Sequence, residues 1–199
     1  KQDPDFSMMR DFGKRFSYAC VRRGTRVATL DAEGFKPIEA LVPGDWTYAW
    51  NGQQYEPTRV IKSACMGIKP VVTVGCVGSG GKRRVKEITT TADHLFIMRD
   101  GTTRAAGDLR PGDRLMPFRR WVSAGGKYRQ LDATNAGGAV YEHRFVLPGH
   151  RVVHHVDANG LNNNPGNLEG FTSAKGHRAR HPAKPKTAAA LESMRRKMQ

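Results

Sequence analysis

The chain has 199 residues, room for one medium domain or two small ones, with a low hydrophobic content of 38%. Its formal charge of +15 is the main compositional signal and points to a polyanionic partner, nucleic acid first. Cys20, Cys65 and Cys76 are odd in number and irregular in spacing, which excludes a disulfide framework and a four-cysteine zinc site and fits a reducing compartment. No apolar run approaches the roughly 18 residues needed to span a bilayer, and no signal peptide is visible, so a membrane partner is not expected.

The chain starts at Lys1 within a helical pattern and is read as a piece of a longer gene product. From Met8 to Ala19 the spacing puts Arg10, Lys14 and Tyr18 at successive i, i+4 steps, on one helix face. As bare residues this is a solvated basic helix. The pattern R-D-x-x-K-x-F-x-Y also resembles the nucleotide-binding helix of family A DNA polymerases, phage ones especially. That resemblance implies triphosphate contacts for Arg10 and Lys14 and nucleotide packing for Tyr18. Nothing after Ala19 continues the polymerase pattern, so the fragment cannot polymerise.

From Cys20 to Phe118 short β-type runs alternate with turns. Thr25–Leu30 runs into the Asp31–Gly34 turn, and Tyr48–Trp50 into Asn51-Gly52, a tight-turn signal. Val71–Val74, Ile88–Thr91 and Leu95–Met98 are further strand candidates, so this part is expected to be all-β. Leu41-Val42-Pro43-Gly44-Asp45 recurs as Leu109-Arg110-Pro111-Gly112-Asp113, which predicts a fold with pseudo-twofold internal symmetry.

This segment resembles the Hint domain of inteins and hedgehog-type autoprocessing proteins. The resemblance rests on Cys20 followed by Gly24-Thr25-Arg26-Val27, on Thr91-Ala92-Asp93-His94, and on the repeat. It implies that Cys20 attacks the Ala19 carbonyl in an N-to-S acyl shift. His94 would serve the departing amide nitrogen as acid/base, and Thr91 would hold the strained amide or its oxyanion. Taken singly, Cys20 reads as a small buried hydrophobe and His94 as a core histidine; Cys65 and Cys76 read as packing residues. The His-Asn pair with which inteins finish occurs nowhere in this chain, so complete cis-splicing is not expected. Either the chain is truncated or it is the N-terminal half of a split intein that needs a C-terminal half in trans.

Residues 119–199 carry fourteen Lys/Arg against five Asp/Glu, a density suited to phosphate contact. Gly125-Gly126 and Gly137-Gly138 read as a linker and a turn around a hairpin of Tyr128–Leu131 with Val140–Val146. Val152–Glu169 then reads as a strand ending in His154-His155, an Asn/Gly loop, and Asn167-Leu168 ahead of a helix. With Glu142-His143-Arg144 upstream, this resembles HNH homing endonucleases (V-H-H-x-D…N-N-x-P-x-N-L) over residues 127–181. The resemblance implies that His154 ligates a divalent ion, Mg²⁺ or another, and that His155 is the general base toward water. Asn167 is either a second metal ligand or a loop-fixing residue. His177 and His181, spaced i, i+4, either complete the metal site or contact phosphate. Asp157 is an outer ligand or caps the turn.

After an extended basic linker, Thr187 could cap a helix over Ala188–Met198 that either grips DNA or does nothing of the kind. The expected organisation is therefore a mainly β chain: an extein fragment (1–19), a Hint-type domain (20–118), a small α+β ββα-metal domain (119–181) and a basic tail (182–199). The expected activities are N–S acyl shift at Ala19–Cys20 and cleavage of double-stranded DNA, with no small-molecule cofactor. Such an element would sit in the cytoplasm of a bacterial host as a phage or prophage product. A hedgehog-like autoprocessing module and a non-catalytic basic DNA-binding protein are the rival readings.

Overall fold

The structure, a computed structural model, describes residues 20–77, 85–132 and 138–181. The polymerase-like helix with Arg10, Lys14 and Tyr18, the residue Ala19, and the tail helix all lie outside the described residues. The described part is mainly β, built from short antiparallel pairs. β1 (Arg26–Ala28) pairs with β2 (Phe35–Pro37), and β3 (Trp46–Trp50) with β4 (Tyr55–Arg59). β5 (Val72–Val77) pairs with β6 (Val85–Thr90), and β7 (Leu95–Ile97) with β8 (Thr103–Ala105). The expected Asn51-Gly52 turn joins β3 to β4: the Asn51 side chain accepts from the backbone N–H of Gln53 and Gln54, and Gly52 takes a positive φ of 101°.

The repeated pentapeptide has a structural counterpart. β1–β2 and β7–β8 each lead through one 3-10 turn, Ile38–Ala40 or Ala106–Asp108, into the Leu-x-Pro-Gly-Asp turn. Asp45 accepts from Val42 N at 3.0 Å and pairs with Lys36 at 2.7 Å. Asp113 accepts from Arg110 N at 2.7 Å and pairs with Arg104. Gly44 and Gly112 sit at φ 98° and 97°, where a side chain is strained. The same carboxylate therefore closes the turn and anchors a cation from the preceding hairpin in both copies.

Beyond Phe118 the structure departs from the sequence reading in three places. Gly125-Gly126 is not a linker but the turn between β9 (Arg119–Val122) and β10 (Arg129–Asp132), closed by Gly126 N to Ser123 O at 2.8 Å. β10 pairs with β11 (Val140–Tyr141) as expected, yet the chain then turns into α1 (Glu142–Val146) instead of prolonging the hairpin. The reason is tertiary: α1 points Glu142 into the interior, where it is fully buried among partners from distant segments. Third, Asn167-Leu168 opens not a helix but β13 (Leu168–Phe171), which pairs with β12 (Val152–His155), and only then does α2 (Ala174–Arg178) begin, capped by Ser173. Cys65 is exposed and packs no core; Cys76 lies half-buried in β5.

The two regions are joined by buried contacts. Tyr48 of β3 packs on Phe118 and Phe145, with ring centroids 5.0 and 6.1 Å apart, and donates its hydroxyl to Glu142 at 2.5 Å. Arg120 reaches back to the carbonyls of Thr29 and Gly34, and Arg129 to those of Asp31, Ala32 and Leu161. Gly34 sits at φ 81°, where a side chain is strained, and a Cβ there would also stand 2.5 Å from the Arg129 guanidinium, which would have to move. Two buried arginines, each serving carbonyls of the upstream turn, thus tie the downstream sheet to it.

Candidate functional site

Strand alternation divides the His-His pair, as adjacent residues must face opposite sides. His154 faces the α2 side of the β12–β13 hairpin. There His177 Nε2 lies 3.2 Å from His154 Nδ1, and His181 Nε2 lies 3.1 Å from His177 Nε2. One nitrogen from each of the three rings falls within 4.8 Å of the others. His177 comes from α2; His181 comes from the turn after it, whose backbone N–H bonds Arg178 O at 3.2 Å. Burial and the neighbouring His181 and His177 hold the His154 imidazole below its ordinary pKa, so it favours the neutral, metal-ready form. Two imidazoles bound to one tetrahedral ion at about 2.05 Å stand about 3.3 Å apart, close to the spacing here.

The loop between β12 and β13 is organised by Asp157 and Asn167. Asn167 donates to Asp157 Oδ1 (2.9 Å) and to Asn162 O (2.8 Å), while its own Oδ1 accepts from Asp157 N (3.0 Å). These bonds tie Asn167 into the loop, and its Oδ1 keeps a second lone pair. Asp157 likewise closes the loop, accepting from Asn159 N and Asn162 Nδ2. Partial burial works against its charge, but those bonds, Asn167 and the nearby His155 hold its carboxyl below the usual range. Ala158, at φ 59°, is the residue that the tight loop strains.

His155 faces the other way and is 6% exposed. Its Nε2 meets Asn163 Oδ1 at 3.0 Å, and Asn163 Nδ2 meets Glu142 Oε2 at 2.5 Å. The His143 ring stands edge-on to His155 at 5.3 Å, with Tyr128 at 6.0 Å. Burial, then the neighbouring His155 and Arg144, push His143 down to a pKa of about 4, so it is a neutral wall of the site near neutral pH. Asn163, Glu142 and His143 are residues that the sequence reading did not assign to the site. The Asn162-Asn163-Asn164 run and the Glu142-His143-Arg144 triplet are the signals that could have pointed to them.

Around Cys20 the chain lies along β6. The Cys20 carbonyl accepts from Thr90 Oγ1 (2.6 Å) and Thr91 N (3.0 Å), and Arg22 N bonds Thr89 O. Thr91 is buried, and its carbonyl accepts from His94 N at 3.1 Å, so Cys20, Thr91 and His94 occupy one strand end. The His94 ring packs edge-on against Phe96 at 5.1 Å, and burial, opposed by Asp93, lowers its pKa. Among the described residues its Nδ1 is buried without a hydrogen-bond partner. The links from Cys20 to Thr91 and from Thr91 to His94 are backbone hydrogen bonds.

No family model matches the chain, and no solved structure does. Over an alignment 114 positions long, which covers 48% of the chain, it is 29% identical to the B subunit of DNA gyrase from Synechocystis sp., of which it spans 10%. That likeness covers too little of the gyrase protein to carry its activity over. Among the described residues no helix is long and apolar enough to cross a membrane.

Proposed function

We propose that residues 119–181 form an HNH-type DNA endonuclease and that residues 20–118 form the N-terminal part of an intein splicing domain of Hint type. The observation that carries the nuclease reading is the division of labour at β12: three imidazoles gather on one face, and a buried, hydrogen-bonded imidazole sits on the other. His154, His177 and His181 would hold a divalent ion, which supplies charge stabilisation for the phosphorane and the leaving 3′ oxygen. A three-imidazole set suits a first-row transition ion such as Zn²⁺, Ni²⁺ or Co²⁺ better than Mg²⁺, which prefers oxygen ligands. His155 takes the proton of the attacking water, Asp157 and Asn167 hold the loop, and the basic surface of the region attracts double-stranded DNA.

The splicing reading is supported by the backbone approach of Cys20 to Thr91 and by a buried His94 Nδ1 that has no partner among the described residues. Cys20 Sγ attacks the Ala19 carbonyl and the Ala19–Cys20 amide bond breaks, giving a thioester and the free Cys20 amine. The interrupted host would be a phage-like DNA polymerase, and the DNA target its intein-free allele. The test is incubation of plasmid DNA with the full chain across a metal series, wild type against His155→Ala. Equal cleavage by both, or none by either, sinks the nuclease reading. For splicing, thiol-induced cleavage before residue 20 that persists in Cys20→Ala sinks the acyl-shift reading.

A further inference from the structure

We infer that Glu142, held by Arg120 and by Tyr48 of the upstream region, acts through Asn163 as a positioning residue that fixes the tautomer of His155. Nε2 carries the proton and Nδ1 is left as the basic nitrogen. The inference rests on the nuclease reading of His155 but uses different observations.

Each link of the chain has only one allowed polarity. Arg120 Nε lies 2.5 Å from Glu142 Oε1, and Arg120 Nη2 donates to Oε2 at 2.9 Å. Tyr48 adds a hydroxyl donor to Oε1 at 2.5 Å. Paired with a guanidinium that stays charged, the Glu142 carboxylate accepts and does not donate. Asn163 therefore turns Nδ2, its only donor, toward Glu142 at 2.5 Å. That leaves Oδ1 facing His155 Nε2 at 3.0 Å, and a carbonyl oxygen can only accept. Nε2 has to donate, so in the neutral ring Nδ1 holds the lone pair. Water cannot relax this order, because Glu142 and Asn163 are both 0% exposed. A reversed Asn163 amide would set its N–H groups against Nε2 and its oxygen against a buried carboxylate.

Tyr48 and Glu142 are 94 residues apart in the chain, so a residue of the upstream β region helps set the base of the downstream site. The upstream region is thereby part of the nuclease-like site and not only its neighbour.

The experiment uses the full chain with ¹⁵N-labelled histidine. A long-range ¹H–¹⁵N correlation above neutral pH reads the His155 tautomer, assigned with His155→Gln. Wild type is expected to show protonated Nε2. In Glu142→Gln the carboxamide can turn either way, Asn163 loses its forced direction, and both tautomers are expected. Loss of the group that fixes a catalytic imidazole's tautomer costs up to about 10⁴-fold in kcat, and with Asn163 retained the expected loss is about tenfold to a hundredfold. KM for plasmid DNA stays within about twofold, since no phosphate contact is touched. Tyr48→Phe removes one donor and almost no volume; it is expected to shift the ¹⁵N pattern the same way by less, and it decides the matter if Glu142→Gln fails to fold. A wild-type His155 protonated on Nδ1 overturns the inference. So do folded variants that keep the wild-type ¹⁵N pattern and kcat. Absence of DNA cleavage by wild type overturns the nuclease reading instead, which the tautomer measurement does not depend on.

Discussion

The two candidate sites hold their polar groups with different partners. Downstream, Glu142, Asn163 and His155 are buried and bonded to one another, and Arg120 supplies the countercharge. Upstream, the Cys20 carbonyl is held by Thr90 and Thr91, while among the described residues His94 Nδ1 is buried without a hydrogen-bond partner, as His143 Nδ1 is beside His155. A satisfied buried network holds one geometry, because every departure from it leaves a polar group unpaired. The downstream site is thus preorganised by its own chain. The upstream site has Cys20, Thr91 and His94 near one strand end, and exposed apolar residues occur in both regions, Ile68 and Val71 upstream and Trp121, Tyr141 and Val156 downstream.

The sharpest way to break this comparison is to separate the two activities. His155→Ala is expected to lower metal-dependent plasmid nicking by at least about 10²-fold and to leave thiol-induced cleavage before Cys20 unchanged. Cys20→Ala is expected to do the reverse, and loss of both activities in either variant would merge the two sites. Next in size is Arg120→Met. Removing one partner of a buried ion pair costs on the order of 3–5 kcal/mol, read as a fall in the unfolding free energy in urea. Because Arg120 also serves Thr29 and Gly34, which flank the turn of the β1–β2 hairpin, hydrogen exchange at β1–β2 and at β10 should accelerate together. Acceleration confined to β10 would show that the regions are energetically separate.

The pH dependence sharpens the contrast from another side. His143 has a folded pKa of about 4, below the ordinary value of 6.5, so the unfolded chain binds more protons between those limits. Its contribution is therefore fully present above about pH 6.5 and is lost as the pH falls toward 4. The loss should approach about 3 kcal/mol, and His143→Gln should flatten the profile of urea midpoint against pH. A smaller effect is expected at the metal-facing side: His181→Gln removes a proposed ligand and should weaken Zn²⁺ binding in calorimetry by at least the roughly tenfold that loss of an outer-shell partner costs, with DNA binding retained. Smallest is Lys36→Met at the upstream turn. That partly exposed pair should be worth under about 1 kcal/mol, seen as a slight drop in melting temperature.

Much of the local structure was legible from residue order alone. Asn51-Gly52 made its turn because Asn and Gly accept the backbone angles and hydrogen bonds that a tight hairpin needs. The two Leu-x-Pro-Gly-Asp copies built the same turn for the same reason. His154 and His155 had to face opposite sides once their segment was a strand, since side chains alternate. Tertiary structure decided the rest. Nothing local favours a helix over a strand at Glu142–Val146; its helical turn is held by a carboxylate whose partners, Tyr48, Arg120 and Asn163, come from three other segments. The meeting of His154 with His177 and His181 likewise depends on β13 folding back on β12 before α2 begins. Periodicity specifies which face a residue shares with its neighbours, but which distant residue meets that face is set by packing.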